Sequence, residues 1–377
     1  MSESKRSSNF ELLRIIAMIL IMISHIFQHS INVQIYEQFY SPGEFFDNFE
    51  FYDRLVLTYF ARTFGPTGCI IFILISGYFL INKEHIDVVK QIKKLLTQLL
   101  FAALVLLLMS MVFFKMGLIS TGMVIFDSFN DEWWFIGLYI LIIVSAELII
   151  NRRISKLTQN QYIMCLVILF ALISTELSRG IITKLASGLE LLTAGIFVYL
   201  LGGYIRIYNP LKNLRVYVII LLLVFSFVIM AVSYYNFSNN SIDQAIIDNN
   251  EYYVPTEYSY YGLYTLPCLL IGVSLFELFR RIKMPTIGII NYIAGSTFMM
   301  YLIHENSFVW NWLMTIDWNS ILYEKDYIAL SLYLLIIVFA LIFYGVIAYS
   351  VYRLLCWILT RKTAKKIFIK ENIISNE

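Results

Sequence analysis

Several segments of this chain are long, apolar and free of charged residues. One of them, Val216–Val232, shows no alternation of polar and apolar residues. A transmembrane β-strand would alternate with a period of two, whereas a membrane-spanning helix needs about 20 mostly apolar residues. Only 14% of the residues are charged and 59% are hydrophobic, against about 25% charged in soluble domains. The pattern excludes a soluble protein and predicts an all-α, polytopic bundle of transmembrane helices.

Segments with the length and hydropathy of a membrane span occur ten times along the chain. The predicted spans are residues 11–31, 63–82, 95–116, 133–150, 161–178, 187–206, 215–235, 260–279, 287–313 and 327–358. We therefore predict about ten transmembrane helices.

Basic residues are concentrated in alternate connections between these spans. Lys and Arg cluster at 5–6, 83–94, 152–156, 206–215 and 280–283 and in the C-terminal tail, whereas connection 236–259 has acidic residues and no Lys or Arg. Cytoplasmic loops are enriched in Lys and Arg. We therefore predict that the basic connections and both termini are cytoplasmic. The abundance of Ile, Asn, Lys and Tyr indicates a low-GC bacterium, so we expect a multi-pass protein of the bacterial cytoplasmic membrane.

The apolar segments are distributed along nearly the whole chain. We expect a single transmembrane domain, residues 1–360, and a basic cytoplasmic tail, residues 361–377. A net charge of +2 gives no reason to expect nucleic-acid binding. The four cysteines lie in apolar stretches without disulfide or metal-ligand spacing, so we expect neither a metal site nor a tightly bound cofactor.

Ionisable residues inside membrane spans are costly and are therefore candidate functional residues. The first span contains Arg14 and, eleven residues later, His25. A step of eleven residues returns to within about 20° of the starting direction and rises by about 16 Å. Each residue alone has a structural explanation, as a snorkelling arginine or a hydrogen-bonded core histidine. Together, on one helix face with His25 in the outer half of the membrane, they favour a functional site.

The ninth span carries a second histidine, His304, directly followed by Glu305. Successive residues of a helix point about 100° apart, so we expect Glu305 to orient a group on a neighbouring helix rather than to pair with His304. His85 lies in a predicted cytoplasmic connection among charged residues, and we expect it to be solvated.

Small residues are frequent in the second span, which includes Gly65, Gly68 and Gly77. They allow another helix to approach closely, which is the commoner explanation, or leave room for a slender substrate chain. Arg62, at the outer end of this span, can bind a carboxylate or phosphate on an acceptor.

Four motifs follow one another along the chain with a characteristic order and spacing. They are Glu11-x-x-Arg14 with His25, the residues Gly68, Phe72 and Ser76-Gly77-Tyr78, the segment Trp134-Phe135-Ile136, and Tyr301 to His304. This combination resembles the acyltransferase-3 family of membrane O-acyltransferases, which modify cell-surface polysaccharides. The resemblance covers almost the whole chain.

Two positions depart from the family pattern. The family's arginine-rich stretch is Lys93-Lys94-Leu95-Leu96-Thr97 here, so bidentate arginine contacts are lost, although lysines still bind phosphate as point charges. Glu132 stands where many members have a histidine before the tryptophan motif. Any role of that histidine is therefore not transferred to this chain.

The resemblance implies that the protein moves an acyl group, usually acetyl, from cytoplasmic acyl-CoA to a hydroxyl of a surface or lipid-linked polysaccharide. It nominates His25 as the general base, since an imidazole accepts a proton near neutral pH. His304 would donate to the carbonyl oxygen or orient the acceptor.

The further site predictions that accompany the resemblance concern the two substrates. Arg14, also a catalytic candidate, would hold the CoA phosphates with Lys93 and Lys94. The residues expected to contact substrate are Glu11, Arg62, Ser76, Trp134, Tyr301 and Glu305. The neighbouring Trp133 is expected to be a residue of the interfacial aromatic belt.

Two other functional classes stay open from the residues alone. One is a transporter or flippase of a lipid-linked glycan or small solute, although the chain shows no internal repeat. The other is a non-catalytic partner of a polysaccharide-assembly complex. The expected partners are acyl-CoA, the glycan acceptor, membrane lipids and polysaccharide-assembly proteins.

Overall fold

The computed structural model describes residues 7–34, 57, 60–113, 117, 122, 125, 133–174, 189–247, 265–323 and 327–374. Within these residues every regular element is a helix, which confirms the predicted all-α class. The acidic residues of connection 236–259 from Asp248 onward lie outside the described residues, and 236–247 continue a helix.

The described part of the chain forms α-helices joined mostly by short connections. In chain order they are α1 (Ser8–Ile26), α2 (Phe64–Leu80), α3 (Val88–Phe113), α4 (Trp134–Ser145), α5 (Asn151–Ile154), α6 (Gln159–Ser174), α7 (Leu189–Tyr208), α8 (Val216–Ile247), α9 (Leu266–Arg281), α10 (Gly288–Gly295), α11 (Thr297–His304), α12 (Ser307–Leu313), α13 (Trp318–Tyr323) and α14 (Tyr327–Ile374). A π-helical segment, Phe27–Ile31, continues α1, and another, Ala146–Ile150, joins α4 to α5.

Seven helical segments of the described residues are long and apolar enough to cross a membrane. They are Ser8–Gln34, Phe60–Leu80, Val88–Leu108, Trp134–Ile154, Leu189–Tyr208, Val216–Asn236 and Tyr327–Thr360. The protein is therefore a multi-pass membrane bundle, as predicted. The other three predicted spans contain helices of 16 residues or fewer, so helix length alone does not reproduce the count of ten.

The predicted span 287–313 is not one helix but three short ones. Ser296 separates α10 from α11, and Glu305 and Asn306 separate α11 from α12. Asn306 is extended, and its side-chain oxygen accepts hydrogen bonds from the backbone N–H groups of Phe308 and Val309, which caps α12. Hydropathy averaged over a membrane span does not detect these breaks, because Ser296, Glu305 and Asn306 are only three residues within an apolar run.

Helix α2 lies at the centre of the bundle and packs against α1, α7 and α9. A Cβ atom at Gly77 would lie 2.0 Å from the Tyr199 carbonyl oxygen of α7, and one at Gly68 would lie 2.5 Å from the Ala17 carbonyl oxygen of α1. Only glycine allows backbones to approach this closely. The packing interpretation of the small residues in the second span is therefore confirmed.

The basic connections meet at one end of the bundle. Asn9, at the start of α1, donates to the Phe279 carbonyl at the end of α9, and Arg281 donates to the Leu211 and Leu214 carbonyls between α7 and α8. The opposite end holds the last turn of α1, where Ser24 donates to the Arg62 carbonyl. This arrangement agrees with the alternation of basic and non-basic connections in the sequence.

Candidate active site

Two helix interruptions bring the site together at the end of the bundle opposite the basic connections. His25 lies in the last turn of α1, and His29 lies in the π-helical segment that follows. His304 is the last residue of α11, and Glu305 lies in the break before α12. Irregular helical turns of this kind are frequent at functional sites because they redirect individual side chains.

The two histidines of α1 and α11 are in direct contact. His25 Nδ1 lies 2.9 Å from His304 Nε2, and the two rings are stacked with centroids 5.1 Å apart. The residues are 279 positions apart in the chain, so only the tertiary fold brings them together. Arg14 is on the same continuous helix α1, which keeps it about 16 Å along the axis from His25.

Glu305 connects the histidines of both helices. One carboxylate oxygen, Oε2, lies against His25 Nδ1 and 3.7 Å from His304 Nε2. The other, Oε1, lies 3.5 Å from His29 Nε2. Glu305 thus contacts groups on α1, the neighbouring helix.

The hydrogen-bond partners determine which ring nitrogens carry hydrogen when the histidines are neutral. His304 Nδ1 lies 2.8 Å from the Met300 carbonyl oxygen, which can only accept, so Nδ1 carries the hydrogen and Nε2 has the lone pair. His25 Nδ1 then faces two acceptors, His304 Nε2 and the Glu305 carboxylate. It must therefore carry the hydrogen, which leaves the lone pair of His25 on Nε2.

Two tryptophans contact the cluster formed by His25, His29, His304 and Glu305. Trp133 is 3% exposed, and its Nε1 donates to the Glu305 carbonyl oxygen at 3.0 Å. The expectation that Trp133 belongs to the interfacial belt is therefore wrong. Trp134 is 40% exposed and packs edge-on against Phe135, so the tryptophan that touches the cluster is the first of the pair. His29 stacks in parallel on Trp310, with ring centroids 3.7 Å apart.

The predicted donor-binding residues lie away from this cluster. Arg14 is partly exposed, and its Nη1 donates to both carboxylate oxygens of buried Glu11 at 3.0 and 3.2 Å. Glu11 is thus the ion-pair partner of Arg14. Lys93 and Lys94 are exposed in the first turns of α3.

The remaining predicted substrate-contact residues are dispersed along the bundle. Tyr301 is buried one turn before His304, with the two rings 6.0 Å apart. Ser76 donates to the Phe72 carbonyl and lies 3.2 Å from the Tyr139 hydroxyl. Arg62 is joined to α1 by the Ser24 contact to its backbone carbonyl.

His85 has a partner, contrary to the expectation that it is merely solvated. Its exposed ring lies 2.8 Å from Glu147 Oε1, at the end of the bundle that holds the basic connections. None of the four cysteines, all of which lie within the described residues, forms a disulfide, and Cys69 and Cys268 are buried.

Two residues that contact Glu305, His29 and Trp133, were not predicted as site residues from the sequence. His29 follows His25 by four residues, a spacing that places both on one helix face and is visible in the sequence. Trp133 had no such signal, because the register at the start of α4 decides which tryptophan of the pair points inward.

One ligand atom each from His25, His304 and Glu305 lies within 4.8 Å of the others, a set with the chemistry to hold a metal ion.

The full sequence was also compared with known proteins. Residues 7–358 match the sequence profile of the family described as acyltransferase domain. The chain belongs to the acyltransferase-3 family. No curated protein and no solved structure gave a match. The protein is therefore a membrane acyltransferase with a His–His–Glu cluster in which His304 and Glu305 are buried and His25 is partly exposed.

Proposed function

We propose that this membrane acyltransferase transfers an acetyl group from cytoplasmic acetyl-CoA to a hydroxyl of a surface or lipid-linked polysaccharide, with His25 as the general base. The observation that carries the proposal is the contact of His25 Nδ1 with the Glu305 carboxylate. It leaves the Nε2 lone pair of His25 to accept a proton. The proposed setting is the bacterial cytoplasmic membrane, alongside polysaccharide-assembly proteins.

The chemical step needs a base that takes the hydroxyl proton while the hydroxyl oxygen attacks the thioester carbonyl. His25 Nε2 accepts that proton, the new C–O bond forms and the C–S bond breaks. The imidazolium then returns the proton to the thiolate, which leaves as CoA. Base and acid are thus the same group, and no proton is gained or lost overall.

Glu305 and His304 act on His25 rather than on the substrate. The carboxylate of Glu305 stabilises the imidazolium that forms during the reaction, because it is a buried negative charge in direct contact with the ring. Both nitrogens of neutral His304 have partners, the Met300 carbonyl and His25. His304 is therefore better suited to position His25 than to donate to the developing oxyanion, the role first expected of it.

The donor is proposed to enter from the end of the bundle with the basic connections. There Arg14 presents a guanidinium that is partly exposed, with the exposed Lys93 and Lys94 on α3 as further phosphate ligands. The pantetheine arm of CoA is long and thin, so it can cover the rise of about 16 Å from Arg14 to His25. A cytoplasmic donor thereby reaches an acceptor that approaches from the other side.

The acceptor is proposed to approach the end that holds His25. Arg62 and Trp134 lie on this side at the starts of α2 and α4, and Tyr301 flanks His304. Ser76 lies further along α2, on the proposed path of the pantetheine arm.

The proposal is tested with purified protein in lipid nanodiscs, acetyl-CoA labelled in the acetyl group, and polysaccharide acceptor. We expect the wild type to place label on the polysaccharide and His25→Ala to place none. His85→Gln is the matched control, because it removes an imidazole at the other end of the bundle, and it should retain transfer. A wild type that moves glycan without consuming acetyl-CoA would show a transporter, and a fully active His25→Ala would refute the base.

A further inference from the structure

The cluster of His25, His304 and Glu305 has more acceptors than hydrogens. His304 Nε2 and Glu305 Oε2 both present lone pairs to His25 Nδ1, which has one hydrogen to give. Three side chains therefore converge on a point that a single proton does not satisfy. A metal cation at that point would be bound by all three groups at once.

The ligand types, and two of the three spacings between ligand atoms, fit those of one common metal. The third pair, His25 Nδ1 and Glu305 Oε2, is in direct contact and has to separate for the metal to bind both. Two imidazoles and one carboxylate are a frequent ligand set of Zn²⁺ sites that keep one position open. With bonds of about 2.0–2.1 Å, ligand atoms of a tetrahedral zinc site lie about 3.3 Å apart. The distances from His304 Nε2 to His25 Nδ1 and to Glu305 Oε2 are 2.9 and 3.7 Å, on either side of that value.

The surroundings of these three residues also resemble the outer shell of a zinc site. The second nitrogen of a zinc-binding histidine usually donates to a carbonyl or carboxylate, as His304 Nδ1 does to the Met300 carbonyl. His29 Nε2 lies near the second oxygen of Glu305, and Trp133 donates to the Glu305 backbone carbonyl. Ligating carboxylates are typically held by a further polar group, and here His29 is the one of the two that lies against the carboxylate.

We propose that His25 Nδ1, His304 Nε2 and the Glu305 carboxylate form a Zn²⁺ site, and that bound Zn²⁺ switches off acyl transfer. The second clause rests on the proposed role of His25. When zinc binds Nδ1, the hydrogen of that nitrogen moves to Nε2, since a neutral imidazole has one N–H. His25 Nε2 then has no lone pair with which to accept the proton of the acceptor hydroxyl.

The binding test uses full-length protein in nanodiscs with its affinity tag removed. The protein is incubated with zinc chloride, passed through a desalting column and analysed for metal by mass spectrometry. We expect about one zinc per chain in the wild type, and affinities at least tenfold weaker in His304→Ala and Glu305→Gln. His85→Gln removes the other described histidine–glutamate pair and should keep the full amount.

The inhibition test measures acetyl transfer in zinc buffers over the range in which the site fills. We expect half-inhibition at the free zinc concentration that half-saturates the wild type, and recovery when a chelator is added. Zinc bound equally by wild type, His304→Ala and Glu305→Gln would overturn the site. Loss of transfer on chelation would overturn the inhibition, because zinc would then serve the reaction.

The two proposals fail separately. A wild type that transfers acetyl groups but binds no zinc refutes only the metal site. A wild type that binds one zinc but transfers nothing either with zinc or with chelator refutes the proposed function and leaves the metal site in place.

Discussion

Replacement of Glu305 by Gln isolates the contribution of one buried charge to catalysis. The carboxylate contacts His25 directly and is almost completely buried, whereas the glutamine amide has the same size and no charge. The amide oxygen can still accept a hydrogen bond from His25 Nδ1. The substitution therefore removes the stabilisation of the imidazolium while it keeps the orientation of the ring.

The size of the effect follows from the burial of the pair. Loss of one member of a buried charge pair costs about 3–5 kcal/mol. Since each 1.36 kcal/mol is tenfold in rate, this range corresponds to roughly 200- to 5,000-fold. The retained hydrogen bond places the expectation at the lower end of this range, a fall of about 200-fold in kcat.

The assay is steady-state acetyl transfer with the amount of inserted protein measured for each variant. We expect Glu305→Gln to lower kcat and to leave KM for acetyl-CoA unchanged, because Glu305 lies far from the proposed CoA phosphate site. Glu190→Gln, the same change in the first turn of α7, is the matched control and should have the wild-type rate. A Glu305→Gln rate within threefold of wild type would refute the charge argument.

Three further predictions concern other parts of the bundle. Trp133→Phe, which removes the donor to the Glu305 carbonyl, should lower transfer by about 3- to 10-fold, whereas Trp357→Phe, the same change at an exposed position of α14, should not change it; equal rates would contradict the support role. Gly77→Ala should destabilise the protein, with a lower melting temperature by tryptophan fluorescence, because its methyl group would meet the α7 backbone. Gly137→Ala, where an added Cβ would meet no atom of the described residues within 4 Å beyond its own helix, should not lower the melting temperature, and a similar fall in both variants would contradict the packing argument. Arg14→Ala should raise KM for acetyl-CoA at least tenfold with a smaller change in kcat, and an unchanged KM would exclude it from donor binding.

The helical bundle could be predicted because its signal is local. Apolar runs near the length of a membrane span need no knowledge of the fold, and seven of the predicted spans coincide with long apolar helices. The interruption at Glu305 was missed because it depends on a cap by a single residue, Asn306, within a run that is apolar on average.

The site could be predicted only in part, since its contacts are long-range. Spacing along α1 indicates which residues share a helix face, but not that His304 would reach His25 from 279 positions away. The contact of Glu305 with α1 was anticipated, but the expectation that Glu305 would not pair with His304 is wrong, because the break after α11 lets Glu305 Oε2 lie 3.7 Å from His304 Nε2. The choice of Trp133 over Trp134 depends on the register of one helix start, which hydropathy does not encode.

His25 is proposed to accept the hydroxyl proton during O-acetylation of a polysaccharide. The most direct test of this role is NMR of the surface polysaccharide from cells that produce the wild type, His25→Ala or no protein, with membrane levels of both proteins matched. We predict O-acetyl signals with the wild type and none with His25→Ala, as in cells without the protein. Equal O-acetylation with wild type and His25→Ala would contradict the account.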